Sequence, residues 1–373
     1  MHVQACAWDA DLMSWIGACT RHKGWFHQPD SDHISLDPRH PRVELLPQGT
    51  LTIEARVTPE NRPQTLLSFE RCFPWPGQFS LQVLPGGSVV MIEAQGRDTM
   101  SAVLPCPYVD RTDIVRLSYS WNALEGFARL AIERPEPDSL HMVHLDNARP
   151  MILTDLRSLM TRPHLTEIDA DVMQIGLSDS IEPVGPRPGL LPQSPIMTDQ
   201  GERFIHTLKR GDLVRAATGD LVPVLHVIRN EVPAQGVFRP VCLRAGYFGL
   251  KRDLVVSADQ RVVMHGSDVE YMFGHEAVAV PARHLINDRS ATYVDGPASL
   301  ALYQLILPNH EAILASGCPL ESMYIGRIRR HPERLSASVL SHIDRSLLPE
   351  HARPVSPVLK PFEAISLASA RAA

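Results

Sequence analysis

The chain has 373 residues, 44% of them hydrophobic, with 36 basic and 42 acidic side chains and a formal net charge of -6. Basic and acidic residues are mixed along the sequence, so it has no basic face of the kind that a nucleic-acid backbone requires, and we expect no nucleic-acid partner. A chain of this length is large enough for two globular domains.

The N-terminus indicates no export signal. It carries Asp9 and Asp11 and lacks a basic leader followed by an uninterrupted apolar core, which excludes a Sec-type signal peptide. No apolar run in the sequence approaches the roughly 20 residues that span a bilayer. The six cysteines stand far apart without a CxxC pair, a pattern typical of buried thiols in a reducing compartment. We expect a cytoplasmic protein, or one exported by a route independent of a signal peptide.

Short stretches between residues 25 and 180 alternate apolar and polar positions and are rich in β-branched and aromatic residues. A period of two is typical of strands with one face in the core and one in water. Turn sequences separate these stretches. The pattern predicts an antiparallel β-sandwich over residues 1–182, with strands at 51–57, 79–83, 89–92, 115–119 and 128–132.

The order of these strands resembles the concanavalin-like or laminin-G-like jelly-roll family. The segments that carry the resemblance are GTLTIEARV, LLSFE, QFSLQVLPGG, IVRLSYSWNALEGFARLAIE and DVMQIGLSD. In that family a Trp-containing strand is followed by a turn and another strand, as at Trp121. The resemblance covers roughly the first half of the chain. It implies a jelly roll and brings no catalytic residues with it.

Aromatic residues in this half form a candidate sugar-binding surface, because carbohydrate faces pack on aromatic rings. The alternative is that these rings, which stand beside prolines, close the end of the sandwich. The cluster consists of Phe73, Trp75 and Phe79. A glycan or another protein is therefore the partner class that we keep open.

Three alternating acidic residues, Glu167, Asp169 and Asp171, precede the last predicted strand of this half. If they lie in a strand, their carboxylates point to one face, where they could hold a calcium ion. A solvated edge protected against strand pairing is the interpretation we favour. We assign no metal and no cofactor.

Prolines cluster at the middle of the chain and mark a domain boundary, because proline favours neither a continuing helix nor a central strand. The sequence predicts a Pro/Gly-rich linker at 183–190, with Pro183, Pro186 and Pro188. Beyond it, short strands and turns predict a second β-rich domain over 189–326. Residues 327–373 are predicted to form a C-terminal helix and tail, because Leu335, Val339, Ile343 and Leu347 recur every four positions over 332–348.

The second half resembles the Hint (Hedgehog/Intein) domain family, in particular its bacterial group. The family's opening Cys-Phe-x-Pro-Gly-Thr box corresponds to GLLPQS at 189–194, and a second landmark to LKRGDLV at 208–214. A third, Arg-Asp-Leu-x-x-Ser-x-x-His-Arg-Val, appears as RDLVVSADQRV at 252–262. Further landmarks follow in the family's order, at 280–287, 310–311, 321–322, 352–354 and 363–364.

The resemblance implies a self-cleavage reaction in which the first residue's thiolate attacks the preceding carbonyl and a histidine protonates the departing amide nitrogen. Gly189 stands in the place of the cysteine and Gln260 in the place of the histidine. Glycine offers no nucleophile, and an amide cannot exchange a proton at any accessible pH. We therefore expect this copy to be degenerate and not an enzyme, with Gly189, Ser257 and Gln260 as vestigial positions.

His310 and Glu311 are a possible remnant of the site, able to orient a ligand or a second histidine, although a structural hydrogen bond is the favoured interpretation. Three hypotheses follow. We favour a non-catalytic binding or structural protein; the alternatives are residual self-processing at the bond before Gly189, and a lectin-like or adhesion protein acting through the sandwich.

Overall fold

A computed structural model describes residues 14–58, 63–107, 112–135 and 139–372. The N-terminal stretch with Asp9 and Asp11, from which we argued against a signal peptide, lies outside these ranges. Residue contacts divide the chain into two compact units between Gly185 and Pro186, inside the predicted Pro/Gly-rich segment. No helix in the described ranges is long and apolar enough to cross a bilayer.

The first unit is an antiparallel β-sandwich, as the alternating pattern predicted. One sheet has the order β12-β11-β10-β5-β15-β1-β2 and the facing one β14-β6-β7-β8-β9, with a small sheet β13-β4-β3 beside them. Its elements are β1 (Trp15–Cys19), β2 (Gly24–Phe26), β3 (Ser35–Asp37), β4 (His40–Leu46), β5 (Gln48–Val57), β6 (Gln64–Arg71), β7 (Gly77–Val83), β8 (Val89–Gln95), β9 (Asp98–Leu104), β10 (Asp113–Asn122), β11 (Phe127–Arg134), β12 (Ser139–Asp146), β13 (Met151–Ile152), α1 (Leu153–Thr161), β14 (Glu167–Ile168) and β15 (Val172–Ser178).

A row of aromatic rings runs through the core between the two sheets. Phe79 stacks on Phe69, and Tyr119 bridges Phe79 to Trp121 with ring centroids 5.7 Å apart on each side. The indole of Trp121 donates to the Leu46 carbonyl at 3.0 Å, which satisfies its one polar atom. Gly49 pairs with Trp121, and a Cβ there would lie 2.7 Å from the ring, so this register needs a glycine.

The expectation of one wet face per strand is wrong for the central strands β5 and β10. Polar residues alternate with the core residues there, but they are buried as well. Arg116 lies between two carboxylates, 3.5 Å from Glu54 and 3.3 Å from Glu133. Because these charges pair with one another, the sheet carries polar residues on a face that is not exposed to water.

The three alternating acidic residues do not share the face of one strand. β14 contains Glu167 and ends at Ile168. The Asp169 carboxylate accepts from the backbone N–H of Asp171 at 2.8 Å, and the Asp171 carboxylate accepts from the Gln64 amide at 3.1 Å. The acidic residues thus close a turn, and the calcium geometry considered for them is wrong.

The second unit is built of short antiparallel strands in three sheets. One has the order β19-β18-β16-β27-β28-β23-β24 with β17 beside β16, and the others are β22-β21-β25 and the pair β20-β26. The elements are β16 (Pro195–Thr198), β17 (Gly201–Phe204), β18 (Leu213–Arg215), β19 (Leu221–Pro223), β20 (His226–Pro233), β21 (Val241–Leu243), β22 (Leu254–Val256), β23 (Arg261–His265), α2 (Ser267–Phe273), β24 (Ala277–Pro281), β25 (Ala291–Tyr293), β26 (Ser299–Ile306), β27 (Ala312–Ala315), β28 (Cys318–Glu321), α3 (Pro332–Ala337) and α4 (Pro361–Ala372).

A C-terminal helix is present, but it is α4 and not the predicted helix over 332–348, of which α3 forms the first turns. Ser338 has an extended backbone, and its hydroxyl donates to the Leu335 carbonyl and accepts from the Leu340 N–H. Serine competes in this way with helical hydrogen bonds, so the chain turns after α3. Leu335 and Leu340 still reach one small apolar cluster.

The predicted tail belongs to the core of the second unit. In α4, Ala364, Leu367 and Ala368 are buried in the same cluster as strands β23, β24 and β28. Arg371 at the end of α4 forms an ion pair with Asp268 of α2 at 2.7 Å. The mainly β fold class with a C-terminal helix is therefore confirmed.

Candidate functional site

Gly189 lies in a short extended segment held between two strands. Its carbonyl accepts from the Ser257 N–H at 2.9 Å, directly after β22. The next residue, Leu190, exchanges two backbone hydrogen bonds with Tyr303 of β26, at 2.9 and 2.8 Å. The position expected to carry a nucleophile is thus fixed on both sides by backbone pairing.

The backbone at Gly189 leaves no room for a side chain. An ideal Cβ at this position would lie 2.7 Å from the Leu302 Cβ and 3.4 Å from the Tyr303 carbonyl oxygen. Both neighbours belong to β26, which is a paired strand and cannot retreat without breaking its own hydrogen bonds. A cysteine side chain does not fit here unless the backbone moves.

Ser257 retains the hydroxyl of the third landmark, and the hydroxyl is buried. Its Oγ has no hydrogen-bond partner among the described residues. The backbone of Ser257 connects the other two positions, since its N–H donates to Gly189 and its carbonyl accepts from the Gln260 N–H at 3.1 Å. Gly189, Ser257 and Gln260 therefore lie together, joined by successive backbone hydrogen bonds.

Gln260 has 0% of its surface exposed, and its amide is held by partners on both atoms. Its Nε2 donates to the Glu321 carbonyl at 2.9 Å and to the Arg261 carbonyl at 3.2 Å. Its Oε1 accepts from the amide of Gln304 at 2.8 Å, and the Gln304 Oε1 accepts from the Leu305 N–H. Two interlocked amides thus fill the position at which the family places its proton donor.

Glu321, at the end of β28, is a buried acid beside this amide pair. Burial raises its pKa to about 7, against the opposing effect of Arg261, whose Nη1 lies 3.4 Å from Oε2. The other carboxylate oxygen, Oε1, has no hydrogen-bond partner in the described part of the chain. Glu321 was not predicted as a chemical group from the sequence. The available signal was a single acidic residue at the end of the otherwise apolar strand Cys318–Glu321.

His310 lies on the far side of Glu321 and takes part in a histidine pair. Its Nδ1 accepts from the Val355 N–H at 2.8 Å, so the proton is on Nε2, which donates to the Ser322 carbonyl at 3.1 Å. The His351 ring stacks on it at 5.9 Å. Burial lowers the pKa of His310 to about 4, and His351 acts in the same direction.

Glu311 does not join this arrangement through its carboxylate. Its backbone N–H donates to the Ser322 hydroxyl at 3.1 Å, and burial raises the pKa of its side chain. Both ring nitrogens of His310 bond to backbone groups, and Glu311 is bonded through its backbone N–H.

The aromatic cluster of the sandwich does not form one surface. Phe79 is 1% exposed and lies in the core row, so its assignment to a sugar-stacking platform is wrong. Phe73 is 80% exposed. Trp75 packs against Val43, Leu45 and Ile152, and the guanidinium carbons of Arg39 and Arg71 lie 5.8 and 5.5 Å from its ring centre.

No group of three or more His, Cys, Asp or Glu side chains in the described ranges is placed to hold a metal ion.

Comparison with protein families assigns the second unit. Residues 188–327 match a family model described as Hint domain, which covers less than half of the chain. The match includes Gly189, Ser257, Gln260 and Glu321. The protein is therefore a mainly β chain with an antiparallel sandwich in its first half and a Hint domain in residues 188–327.

Solved structures give weaker similarities, each over about a third of the chain. The Ruminococcus gnavus IT-sialidase CBM40, bound to alpha2,6 sialyllactose, is 16% identical, with 36% of this chain and 77% of that chain covered and a TM-score of 0.24. The MchDnaB-1 intein is 16% identical, with 36% and 99% covered and a TM-score of 0.26. The gp41-1 intein is 12% identical, with 37% and 100% covered and a TM-score of 0.25. No curated protein matches the sequence.

Proposed function

We propose that this chain is a two-domain binding or structural protein whose Hint domain no longer cleaves itself. The observation that carries the proposal is the packing at Gly189, where the Leu302 Cβ lies 2.7 Å from the place of any side chain. A single substitution would be enough to remove the nucleophile while leaving space for its side chain. Here that space is absent, because β26 packs directly against Gly189, and this supports a site that has changed around the missing side chain.

The buried amide pair supports the same proposal. A proton donor for the departing nitrogen needs a pKa near neutrality, and it usually contributes about 10² to 10⁴-fold to the rate. Gln260 has no such proton, and its amide hydrogen bonds to Glu321 and Gln304 serve to hold β23, β26 and β28 together. Without a nucleophile and without this donor, the acyl shift lacks both of its chemical groups.

Mass spectrometry of the purified chain tests the proposal. We expect a single species of 41.4 kDa that persists over days, with or without an added thiol, because a thiol resolves only a thioester that has already formed. Two fragments of nearly equal mass, produced by cleavage of the peptide bond before Gly189, would show that the chain still processes itself. Denatured protein serves as the control for cleavage by contaminating proteases, since those act on the unfolded chain as well.

A revertant measures how far the site has diverged. In the double variant Gly189→Cys, Gln260→His, both chemical groups return, but the Cβ at 189 still meets β26. We expect this variant to remain uncleaved. Efficient cleavage by it would mean that the two substitutions alone caused the loss.

A further inference from the structure

Residues 349–360 form a strap that leads from the region after α3 to the start of α4 in the second unit. Its prolines, which have no N–H to donate to a strand ladder, are Pro349, Pro354 and Pro357. The strap residues that are fully buried are His351, Ser356 and Leu359. Because it buries so few apolar side chains, this segment can open locally at a lower free-energy cost than a paired strand.

Two histidine rings hold the middle of the strap against the rest of the unit. Nδ1 of His310, which lies outside the strap, accepts from the Val355 N–H at 2.8 Å. Nδ1 of His351, which lies in the strap, accepts from the Ile325 N–H at 3.3 Å, and its Nε2 donates to the Leu307 carbonyl at 3.0 Å. Three of the hydrogen bonds that close the strap therefore pass through an imidazole ring.

The two ends of the strap are attached by other groups. At the first end, the Glu350 carboxylate forms ion pairs with Arg330 at 2.6 Å and with Arg329 at 2.8 Å. Hydrogen bonds from these arginines lower the pKa of Glu350 to about 2, so both pairs persist in mild acid. At the other end, the Leu359 N–H donates to the Ala279 carbonyl of β24 at 3.0 Å. The middle of the strap can thus open while both ends stay attached.

The hydrogen bonds of both rings require the neutral form of histidine. A neutral imidazole has one accepting nitrogen, and in His310 and His351 that nitrogen is Nδ1, which faces a backbone N–H. A proton on Nδ1 would bring two donors together, so a protonated ring must give up this bond. The two rings stack with centroids 5.9 Å apart, and two positive charges at that distance repel each other. Acid therefore acts on both attachments in the same direction.

The groups around the two rings favour their neutral forms in the closed strap. Burial lowers the pKa of His310 to about 4, and the charges of His351 and of Arg261 in β23 act in the same direction. Glu321 of β28 has Oε2 3.9 Å from Nε2 of His310, but burial raises its own pKa to about 7, which leaves it largely uncharged in acid. Burial also lowers the pKa of His351, and the Tyr324 ring lies 6.1 Å from it. Since both histidines bind protons more readily when the strap is open, opening becomes more favourable as pH falls below about 6.5.

We propose that the strap is an acid-sensitive conformational switch: the neutral rings of His310 and His351 hold its middle closed, and their protonation releases residues 351–358 while both ends stay attached. Release leaves His310 in contact with water. This switch goes beyond the proposed function, because it does not depend on whether the Hint domain cleaves itself or on what the chain binds.

Hydrogen exchange of the full chain at pH 7.5 and pH 5, followed by mass spectrometry of its peptides, tests the proposal. We expect the protection factors of the strap amides to fall about 30-fold or more, because a ring with a pKa of about 4 when closed and about 6.5 when open contributes this factor. Protection factors already correct for the pH dependence of exchange in an unfolded chain. Amides of the paired strands β20 and β26 should not show this fall. Unchanged protection of the strap, or an equal fall in β20 and β26, would overturn the proposal.

Asparagine variants assign the acid response to the two rings. In the double variant His310→Asn, His351→Asn, each Oδ1 can accept the bond that Nδ1 made but cannot be protonated, so we expect strap protection to be independent of pH. His284→Asn is the matched control, because burial also lowers the pKa of His284 to about 4 but this residue lies after β24, outside the strap. It should respond to acid as the parent does. If the double variant fails to fold, His310→Asn alone decides, and a folded variant as acid-sensitive as the parent refutes the assignment.

Discussion

Two buried polar side chains, one in each unit, differ in how many of their hydrogen bonds are made. In the Hint unit, both side-chain amide atoms of Gln260 are bonded inside the protein, and the position of Gly189 is filled by β26. In the sandwich unit, Arg71 pairs with Asp155 through Nη1, yet two of its buried donors have no acceptor among the described residues. The Hint unit has partly bonded groups as well, at Ser257 and Glu321, so the difference lies between these two side chains and not between the units.

The comparison also separates positions that follow the family's sequence landmarks from a feature that matches no sequence motif. Gly189, Ser257 and Gln260 are joined by successive backbone hydrogen bonds. In the proposed function, the acyl shift lacks a nucleophile at 189 and a proton donor at 260. The two Arg71 donors without an acceptor in the described residues correspond to no motif of the sequence.

The largest effect should come from the aromatic row in the core of the sandwich. Phe79→Ala removes a ring that is 1% exposed and is expected to cost about 3 to 5 kcal/mol of unfolding free energy. Phe73→Ala, at an 80% exposed position, should change it by less than about 0.5 kcal/mol. Urea denaturation measures both. Similar costs for the two variants would show that Phe73 contributes to the core as much as Phe79 does.

Gln260→Ala tests whether the amide pair is structural. The change leaves the Gln304 amide without one acceptor contact and opens a small cavity, so we expect a loss of about 3 kcal/mol. Gln200→Ala, on the exposed turn after β16, is the control and should lie within about 0.5 kcal/mol of the parent. If the free energy of unfolding changes as little in Gln260→Ala as in Gln200→Ala, the amide pair does not stabilise the fold.

Glu321→Gln tests the buried acid by the pH dependence of stability. With a pKa of about 7 in the folded state, raised from 4.5, Glu321 keeps a proton in the folded chain that it has lost in the unfolded chain, so its contribution to stability falls as pH rises from 4.5 to 7. His284 and His310, whose pKa values burial lowers to about 4, act in the opposite direction in both chains, so the expected result is a difference: relative to Glu321→Gln, the parent should lose about 3 kcal/mol over this range. Thermal melts between pH 4.5 and 8 measure it. Parallel profiles for the parent and Glu321→Gln, with exposed Glu276→Gln as control, would contradict this reading.

The smallest effect should come from Gly189→Ala. The added Cβ lies 2.7 Å from Leu302 and forces a local shift, for which we expect a loss of about 1 to 3 kcal/mol. At Gly296, an added Cβ lies 3.4 Å from its nearest neighbour, so Gly296→Ala is a suitable control. If Gly189→Ala is as stable as Gly296→Ala, β26 can move to accommodate a side chain at 189, and the packing at Gly189 no longer supports the proposed function.

Local patterns in the sequence predicted five strands of the sandwich but not the positions of the C-terminal helices. Alternation over four to eight residues is a local property, and it located β5, β7, β8, β10 and β11. The four-residue spacing after Pro332 also looked helical, but Ser338 redirected the chain through its own hydrogen bonds. In α4, the exposed Phe362 and Ile365 obscure the buried stripe of Ala364 and Leu367.

The sequence predicted which positions form the candidate site but not which side chains contact one another. Ordered landmarks located Gly189 and Gln260, because a family keeps the sequence order of its site. The bond between Gln260 and Gln304 joins residues 44 positions apart, and only folding brings them together. Arg71 and Asp155, 84 positions apart, are another such pair. No local sequence pattern predicts that Nε and Nη2 of Arg71 lack an acceptor among the described residues.

The packing of α4 fixes where a shortened version of the second unit can end. The family match stops at residue 327, but Leu359, Ala364 and Leu367 fill the interior of the same unit. A fragment that ends with the match would expose that interior to water and is expected to aggregate. Expression of this half alone should therefore extend to residue 372, and a C-terminal affinity tag needs a flexible spacer after Arg371, which is tied to Asp268.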